Sequence, residues 1–283
     1  MKPPRAIVSG GTGFVGRFIV ERLLEEGHEV TVTGRHAPPE DFFTAPVKFV
    51  EDHLEPDEDH AATFAGCGHF VHCAFDHLPG RYRGGEGDDP QGFRRKNLEG
   101  SLARFRAAKA VGVKRAVLLS SRAVYGEQPP GAELTEETVP HPNSLYGEIK
   151  LACEQGLAAL ADEKFHGVSL RVTGVYGPAG AMQEHKWAGM IADYLAGRPV
   201  ASRASTEVHG EDVAWAVLIA LTQPLDARYQ VFNVSDIVVD NADVLAIVQA
   251  VTGVWQPLPE RADTSGLNVM STRKLRALAW RPG

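Results

Sequence analysis

The chain has 283 residues, 43% hydrophobic and 23% charged, which suits a water-soluble protein of one or two domains with a sizeable core. A net charge of −7 argues against nucleic acid or an anionic membrane surface as the main partner and leaves small molecules open. The three cysteines, Cys67, Cys73 and Cys153, lack CxxC spacing and read as reduced thiols rather than a disulfide framework.

The N-terminus runs straight into the strand-like segment RAIVSGG (5–11). No long apolar leader precedes it, and no later stretch is long enough to span a membrane, so a cytoplasmic protein is expected. FVGRFIVERLLEEG (14–27) has helical periodicity and stops at Gly27. HEVTVTG (28–34) and APVKFVED (45–52) read as the second and third strands. HAATFAG (60–66) is a short helix and CGHFVHCAF (67–75) the fourth strand. DPQGFRRKNLEGSLARFRAAKAVG (89–112) reads as one long helix, followed by the strand KRAVLLSS (114–121). SLYGEIKLACEQGLAALADE (144–163) is the next helix and GVSLRVTGVYG (167–177) the next strand. Strands alternate with helices, and several strands are apolar on both faces. That pattern predicts an α/β fold with a doubly wound parallel sheet.

Beyond about residue 175 the alternation loosens. Helices are expected in HKWAGMIADYLAGRP (185–199), GEDVAWAVLIALTQ (210–223) and NADVLAIVQAVTG (241–253), a strand in RYQVFNVS (228–235), and a short helix in STRKLRALAWRPG (271–283). Residues 1–175 are therefore read as one domain built on the main sheet. Residues 176–283 are read mainly as a smaller substrate-binding lobe, with some segments returning to the main sheet.

VSGGTGFVG (8–16) sets Gly10, Gly13 and Gly16 between the first strand and the first helix. Glycines there permit a tight turn, close approach of a pyrophosphate and close helix–strand packing. The free N–H groups at the helix start, around Phe14 and Val15, suit phosphate. The expected cofactor is a nicotinamide dinucleotide, with residues 1–175 as its NAD(P)-binding Rossmann-type domain. After the second strand comes Arg35, with no acid before Glu40. A carboxylate there would favour NAD. An arginine can pair with a 2′-phosphate, so NADP is placed ahead of NAD. Asp52, after the third strand, is a candidate acceptor for the adenine amine or a turn cap. His60, Cys67, His69, His72, Cys73 and His77 crowd residues 60–77. Neighbouring strand residues point to opposite faces, so no metal site is expected from them.

Tyr146 and Lys150 stand four apart in a helical segment and so share one face. A free phenol has a pKa near 10, and a neighbouring ammonium and a nicotinamide cation would lower it. Tyr146 then exchanges a proton with a carbinol or carbonyl while hydride moves to or from the nicotinamide. A hydroxyl at the end of the 114–121 strand, Ser120 or Ser121, would hold the reacting oxygen.

These pieces carry a resemblance. GGTGFVG, ED after the third strand, FVHCAF, NLEGS, LLSSRAVYG, LYGEIKLACE, LRVTGVYGP, HGEDVAWAV and STRKLRALAWRP together resemble an extended short-chain dehydrogenase/reductase of the NAD-dependent epimerase/dehydratase group, along nearly the whole chain. The resemblance implies Tyr146 as general acid/base and Lys150 as its electrostatic partner and ribose contact. It implies Ser121, four residues before the tyrosine of VYG (Tyr125), as the carbonyl-orienting hydroxyl. Asn97 matches the helix asparagine that supports a water and proton path to the lysine. A homodimer through helices at about 91–111 and 145–162 is also implied.

The substrate end departs from that family's pattern. Members acting on nucleotide-sugars carry an Arg-Asp pair where this chain has Ser205 and Thr206, with Arg203 or Arg198 as the nearest substitutes. GRPVASRAST (197–206) is also short for a substrate hairpin. LPGRYRGGEGDDPQGF (78–93) reads as a long loop at a strand's carboxyl end, a candidate lid in which Arg81 or Arg83 meets an anionic group. The leading expectation is hydride transfer at a secondary alcohol or ketone of a sugar-like or polyhydroxylated substrate. The alternatives are an NADPH-dependent ketone or aldehyde reductase and a non-catalytic dinucleotide sensor, the latter disfavoured by the retained Tyr146–Lys150 pair.

Overall fold

The computed structural model describes residues 3–78, 84–178, 180 and 184–283. In chain order the elements are β1 (Ala6–Ser9), α1 (Phe14–Glu25), β2 (Val30–Gly34), β3 (Lys48–Glu51), α2 (Ala61–Phe64), β4 (His69–His72), α3 (Pro90–Arg94), a π-helical stretch (Arg95–Gly100), α4 (Ser101–Ala110), β5 (Arg115–Ser121), α5 (Leu145–Leu160), β6 (His166–Val172), β7 (Gly174–Tyr176), α6 (Ala188–Leu195), β8 (Ala204–His209), α7 (Gly210–Thr222), β9 (Tyr229–Val234), β10 (Ile237–Asp240), α8 (Asn241–Thr252) and α9 (Arg273–Ala277).

Among the described residues, β3-β2-β1-β4-β5-β6-β9 form one sheet in that order, with every neighbouring pair parallel. Parallel strands are buried on both faces, which is why β1 and β4 are buried at every position. One face is covered by α1 and α7, with Ile19, Val20, Val217 and Trp280 in its core. The other is covered by α4 and α5, with Phe70, Phe105, Ile149 and Leu157. The strand order reverses between β1 and β4. A crevice for ligands opens there, beyond the carboxyl ends of the strands.

The segment 167–177 is two strands rather than one. The chain leaves the main sheet after Val172. The Thr173 hydroxyl donates to the Thr206 carbonyl at 2.7 Å. β7 then joins a second sheet, β10-β8-β7. β8 and β10 escape the sequence reading because they pair only with each other and with this displaced strand. The helix expected over 89–112 runs without a gap from Pro90 to Ala110, as α3, the π-helical stretch and α4. β9 lies beside β6 in the main sheet, so residues 229–234 belong structurally with the first part of the chain. No helix among the described residues is long and apolar enough to cross a membrane.

Two buried histidines of the sheet are expected to make the fold acid-sensitive. Burial, aided by His28 and Arg115, pushes His69 down to about 4. Burial, with Lys150 and Arg104 adding, pushes His72 down to about 3. Unfolded histidine titrates near 6.5. The unfolded chain therefore takes up protons first as pH falls, and stability present above pH 6.5 is lost progressively below it. At pH 5 each histidine is expected to cost about 2 kcal/mol relative to pH 7. Melting curves should show the midpoint falling by roughly 7 °C between those pH values. His69→Gln should remove about half of that pH dependence. An unchanged midpoint in the wild type would show that neither ring is held neutral.

Candidate active site

The loop between β1 and α1 forms the floor of the crevice. Gly10 has φ +69°, and a Cβ there would lie 2.8 Å from the Ala74 backbone. A side chain on Gly16 would run into the Gly10 carbonyl. Gly13 caps α1 without a side-chain bond, so the first-turn amides around Phe14 and Val15 remain to meet an anion.

Asp52 is more heavily engaged than its place in the sequence suggests. Its Oδ2 accepts from Arg104 Nε at 2.8 Å and Thr33 Oγ at 3.3 Å. Its Oδ1 accepts from the Leu54 amide at 3.1 Å and from Arg104 Nη2. Burial works to raise the Asp52 pKa, but Arg104 and the Leu54 amide hold it below the ordinary carboxylate range. A carboxylate offers about four acceptor positions, and here all four are used within the chain. The adenine amine therefore finds no open position on Asp52 in this arrangement. Arg104, buried in α4, is fifty-two residues away in sequence, and no local signal announces the pair. Glu58 and His60 place ligand atoms within 4.8 Å of Asp52, but the Asp52 carboxylate is already committed to Arg104.

Arg35 follows β2 with its side chain 60% exposed, and Nη1 lies 3.1 Å from Asp76 Oδ1. Asp76 also faces Lys96 at 3.5 Å. The guanidinium thus reaches from the end of β2 toward the segment after β4, over the crevice.

On the other side, α5 begins at Ser144, whose hydroxyl accepts from the Gly147 amide at 3.2 Å. Lys150 lies one turn further on. It is almost fully buried, and Nζ donates to the Leu119 carbonyl in β5 at 2.7 Å. The ammonium sits 4.6 Å from the Phe75 ring centre and 5.9 Å from that of Tyr146. Phe75 meets Tyr146 edge-on at 4.9 Å. Burial pushes Lys150 below its ordinary value, against the opposing influence of Cys153, Cys73 and Glu154. Phe75 is the residue that sequence reasoning overlooked. It lies in the segment after β4, and only the tertiary fold brings it onto the Tyr146–Lys150 face.

The two serines separate clearly. Ser120 Oγ donates to Glu154 at 2.5 Å inside the core. Ser121 is only half-buried, and its Oγ accepts from the Ala123 amide at 3.1 Å. The 3₁₀ turn it caps, Arg122–Val124, packs against Gly147, the residue after Tyr146. A Cβ on Gly147 would lie 2.5 Å from the Ala123 carbonyl. Ser121 thus belongs to the Tyr146 neighbourhood, while Ser120 belongs to the core.

Asn97 is fully buried. Its side chain accepts from the Asp76 amide at 2.6 Å and donates to the Asp76 and Phe93 carbonyls at 2.8 and 2.9 Å. It pins the segment that carries Phe75 and Asp76. Its own carbonyl, in the π-helical stretch, accepts from Ser101 Oγ at 2.5 Å and Cys153 Sγ at 3.5 Å. His72 links Ser101 to Ser9, with ring nitrogens 2.8 and 2.6 Å from the two hydroxyls. The glycine loop and Asn97 are joined by this buried chain, which the sequence reading missed.

At the substrate side, Arg198 is tied to Asp193 at 2.6 Å. Arg203 is exposed just before β8. Arg81 and Arg83 lie outside the described residues; flanking them, Leu78 N donates to the Gly85 carbonyl at 3.0 Å.

The chain is similar to known proteins. A family model, the NAD dependent epimerase/dehydratase family, matches residues 6–235. The chain is 27% identical to a UDP-glucose 4-epimerase of Corynebacterium glutamicum, over 98% of this chain and 91% of that protein. It is 29% identical to a dTDP-6-deoxy-L-talose 4-dehydrogenase (NAD(P)(+)) of Kitasatospora kifunensis, over 80% and 69%. Among solved structures, it resembles the UDP-glucose 4-epimerase of Thermus thermophilus in complex with NAD, with a TM-score of 0.77 and 30% identity over 98% of this chain and 94% of that one.

Proposed function

The chain belongs to the NAD dependent epimerase/dehydratase family and is an oxidoreductase of that type, and from that premise we propose that it moves hydride between a nicotinamide and a secondary alcohol or ketone of a sugar-like, polyhydroxylated molecule. The observation that carries the reading is the convergence of Tyr146, Lys150 and the Ser121 turn beside the crevice. In this reading Tyr146 passes the proton to or from the substrate oxygen. Lys150, anchored on Leu119, supplies the positive field. Ser121 keeps its own hydroxyl hydrogen for the same substrate oxygen while accepting from Ala123. Asn97 is a positioning residue that fixes Phe75 and Asp76. The dinucleotide when bound supplies the hydride site; the amides around Gly13, Phe14 and Val15 would hold its pyrophosphate.

The finer cofactor choice, NADP ahead of NAD, rests on Arg35 and on the lack of a carboxylate between β2 and Glu40. Arg35 would exchange Asp76 for a 2′-phosphate, a pairing of the charge-assisted kind. Related names point both ways, since one relative is described with NAD and another with NAD(P)(+). A cytoplasmic setting and a homodimer packed through the helical stretches at about 91–111 and 145–162 belong to the same proposal.

The test is mass spectrometry of the dinucleotide that stays with freshly purified protein. Near-stoichiometric bound NADP is expected, as internal recycling of hydride in an epimerase or dehydratase allows tight retention. Bound NAD would overturn the role given to Arg35. Empty protein that binds NADPH reversibly would turn the reading to a ketone or aldehyde reductase.

A further inference from the structure

The strand order β2-β1-β4 puts the carboxyl end of β1, and the glycine loop that leaves it, between the ends of β2 and β4. Both neighbours are fastened to that loop. On the β2 side the Gly10 amide donates to the Thr33 carbonyl at 2.7 Å, and a Cβ on Gly34 would meet Thr12 Oγ at 3.4 Å. On the β4 side the Cys73 amide donates to the Ser9 carbonyl at 3.0 Å, and Gly10 closes on the Ala74 backbone. Arg35 follows Gly34, and Asp76 comes two residues after Ala74, yet Arg35 Nη1 and Asp76 Oδ1 are 3.1 Å apart. The pair therefore reaches across the loop from one side to the other. That is where the adenosine end of a dinucleotide is read in a fold of this kind. Asp76 is fixed in place, because buried Asn97 accepts from its amide at 2.6 Å and donates to its carbonyl at 2.8 Å. Its Oδ2 faces Lys96 at 3.5 Å, and Lys96 is shared with Glu55 at 3.7 Å. The Arg35 side chain is 60% exposed and that of Asp76 29%. The arginine is thus the movable end, in a pair of the exposed, weakly held kind.

We propose that Asp76 is a specificity-determining residue of the dinucleotide site, which competes with an adenosine 2′-phosphate for Arg35 and so narrows the margin of NADP over NAD. This deepens the cofactor reading given above and rests on it. A phosphate monoester carries about one to two negative charges at neutral pH. When it meets Arg35 it also meets the carboxylate that Arg35 has left, and like charges so close repel. Asp76 cannot withdraw from the phosphate with its segment, because Asn97 holds that segment on both sides. In NAD a neutral hydroxyl stands where the phosphate would be. A hydroxyl can donate to a carboxylate, so Asp76 opposes NADP and leaves NAD unopposed. Arg35 draws the site toward the 2′-phosphate and Asp76 draws it back. The ratio of the two affinities reads the difference.

The experiment equilibrates the full chain with an equal excess of NADP and NAD until any retained dinucleotide has exchanged, and reads the bound ratio by mass spectrometry. Asp76→Asn removes the charge and keeps the backbone groups that bond Asn97. It is expected to raise the bound NADP-to-NAD ratio about tenfold over the wild type. Arg35→Gln is expected to lower the ratio about tenfold. In the Arg35→Gln background the rise from Asp76→Asn should shrink to about threefold or less, because no guanidinium is left to compete for. A rise of less than about threefold from Asp76→Asn alone, or of more than that in the Arg35→Gln background, would overturn the proposal. A wild type that takes up NAD in preference, with both variants moving the ratio as stated, would overturn the choice of NADP and leave Asp76 its role. Hydride transfer is followed separately by nicotinamide absorbance, so its absence would count against the catalytic reading alone.

Discussion

Tyr146→Phe is expected to lower kcat by roughly 10²–10⁴-fold, the usual contribution of a positioned proton carrier. The replacement keeps the ring. The edge-on contact with Phe75 at 4.9 Å and the Lys150 ammonium 5.9 Å from the ring centre have the same carbon framework to meet. Dinucleotide affinity should therefore stay within about threefold of the wild type, and kcat and kcat/KM should fall together. That split separates loss of the proton carrier from loss of the fold. Single-turnover hydride transfer in the variant is the direct measurement. A kcat within about tenfold of the wild type would mean that another group carries the proton, and the role assigned to the phenol would fall.

The largest effect on stability is expected at Glu154 and Arg171. Both are buried. Arg171 Nη2 lies 2.8 Å from Glu154 Oε2, Nε lies 3.1 and 3.3 Å from the two carboxylate oxygens, and Ser120 Oγ adds a third donor at 2.5 Å. Arg171 also stacks its guanidinium 4.7 Å from the centre of the Tyr125 ring. Burial by itself would lower the Arg171 pKa, and Glu154 more than reverses this, so the group is held above its ordinary value. Removing one partner leaves a buried charge unpaired, at a cost of about 3–5 kcal/mol. For a chain of this length that is a fall in melting midpoint of roughly 5–8 °C. Glu154→Leu with Arg171→Met should recover much of the loss, because an apolar pair leaves no charge stranded. If Glu154→Leu alone moved the midpoint by less than about 1 °C, the pair would be solvated rather than buried.

What was legible in the sequence is what depends on near neighbours. The glycine loop is a strand, a turn and a helix start within nine residues, and its demands are steric and local. Tyr146 and Lys150 share a face because one helical turn separates them. The alternation of apolar strands with periodic helices gave the parallel sheet, because burial on both faces leaves a continuous apolar run. The choice between Ser120 and Ser121 was not local. Only the position of Glu154, brought beside β5 by α5, shows which hydroxyl is committed to the core.

The tertiary structure alone decided the rest. Asp52 loses its open acceptor positions to Arg104, a residue on another layer of the fold. β7 leaves the strand it continues in sequence and pairs with β8, about thirty residues ahead, which pairs in turn with β10. Phe75 likewise joins Lys150 from a distant part of the chain. Each of these pairs carries its meaning in a long-range contact, and a contact between distant residues leaves no periodicity or spacing behind. The sequence by itself determined the parallel α/β class, the loop suited to a dinucleotide phosphate and the helix face of the tyrosine and lysine. The pairing of β7 with β8, the engagement of Asp52 by Arg104 and the placing of Phe75 beside Lys150 came from the packing of elements far apart in the chain.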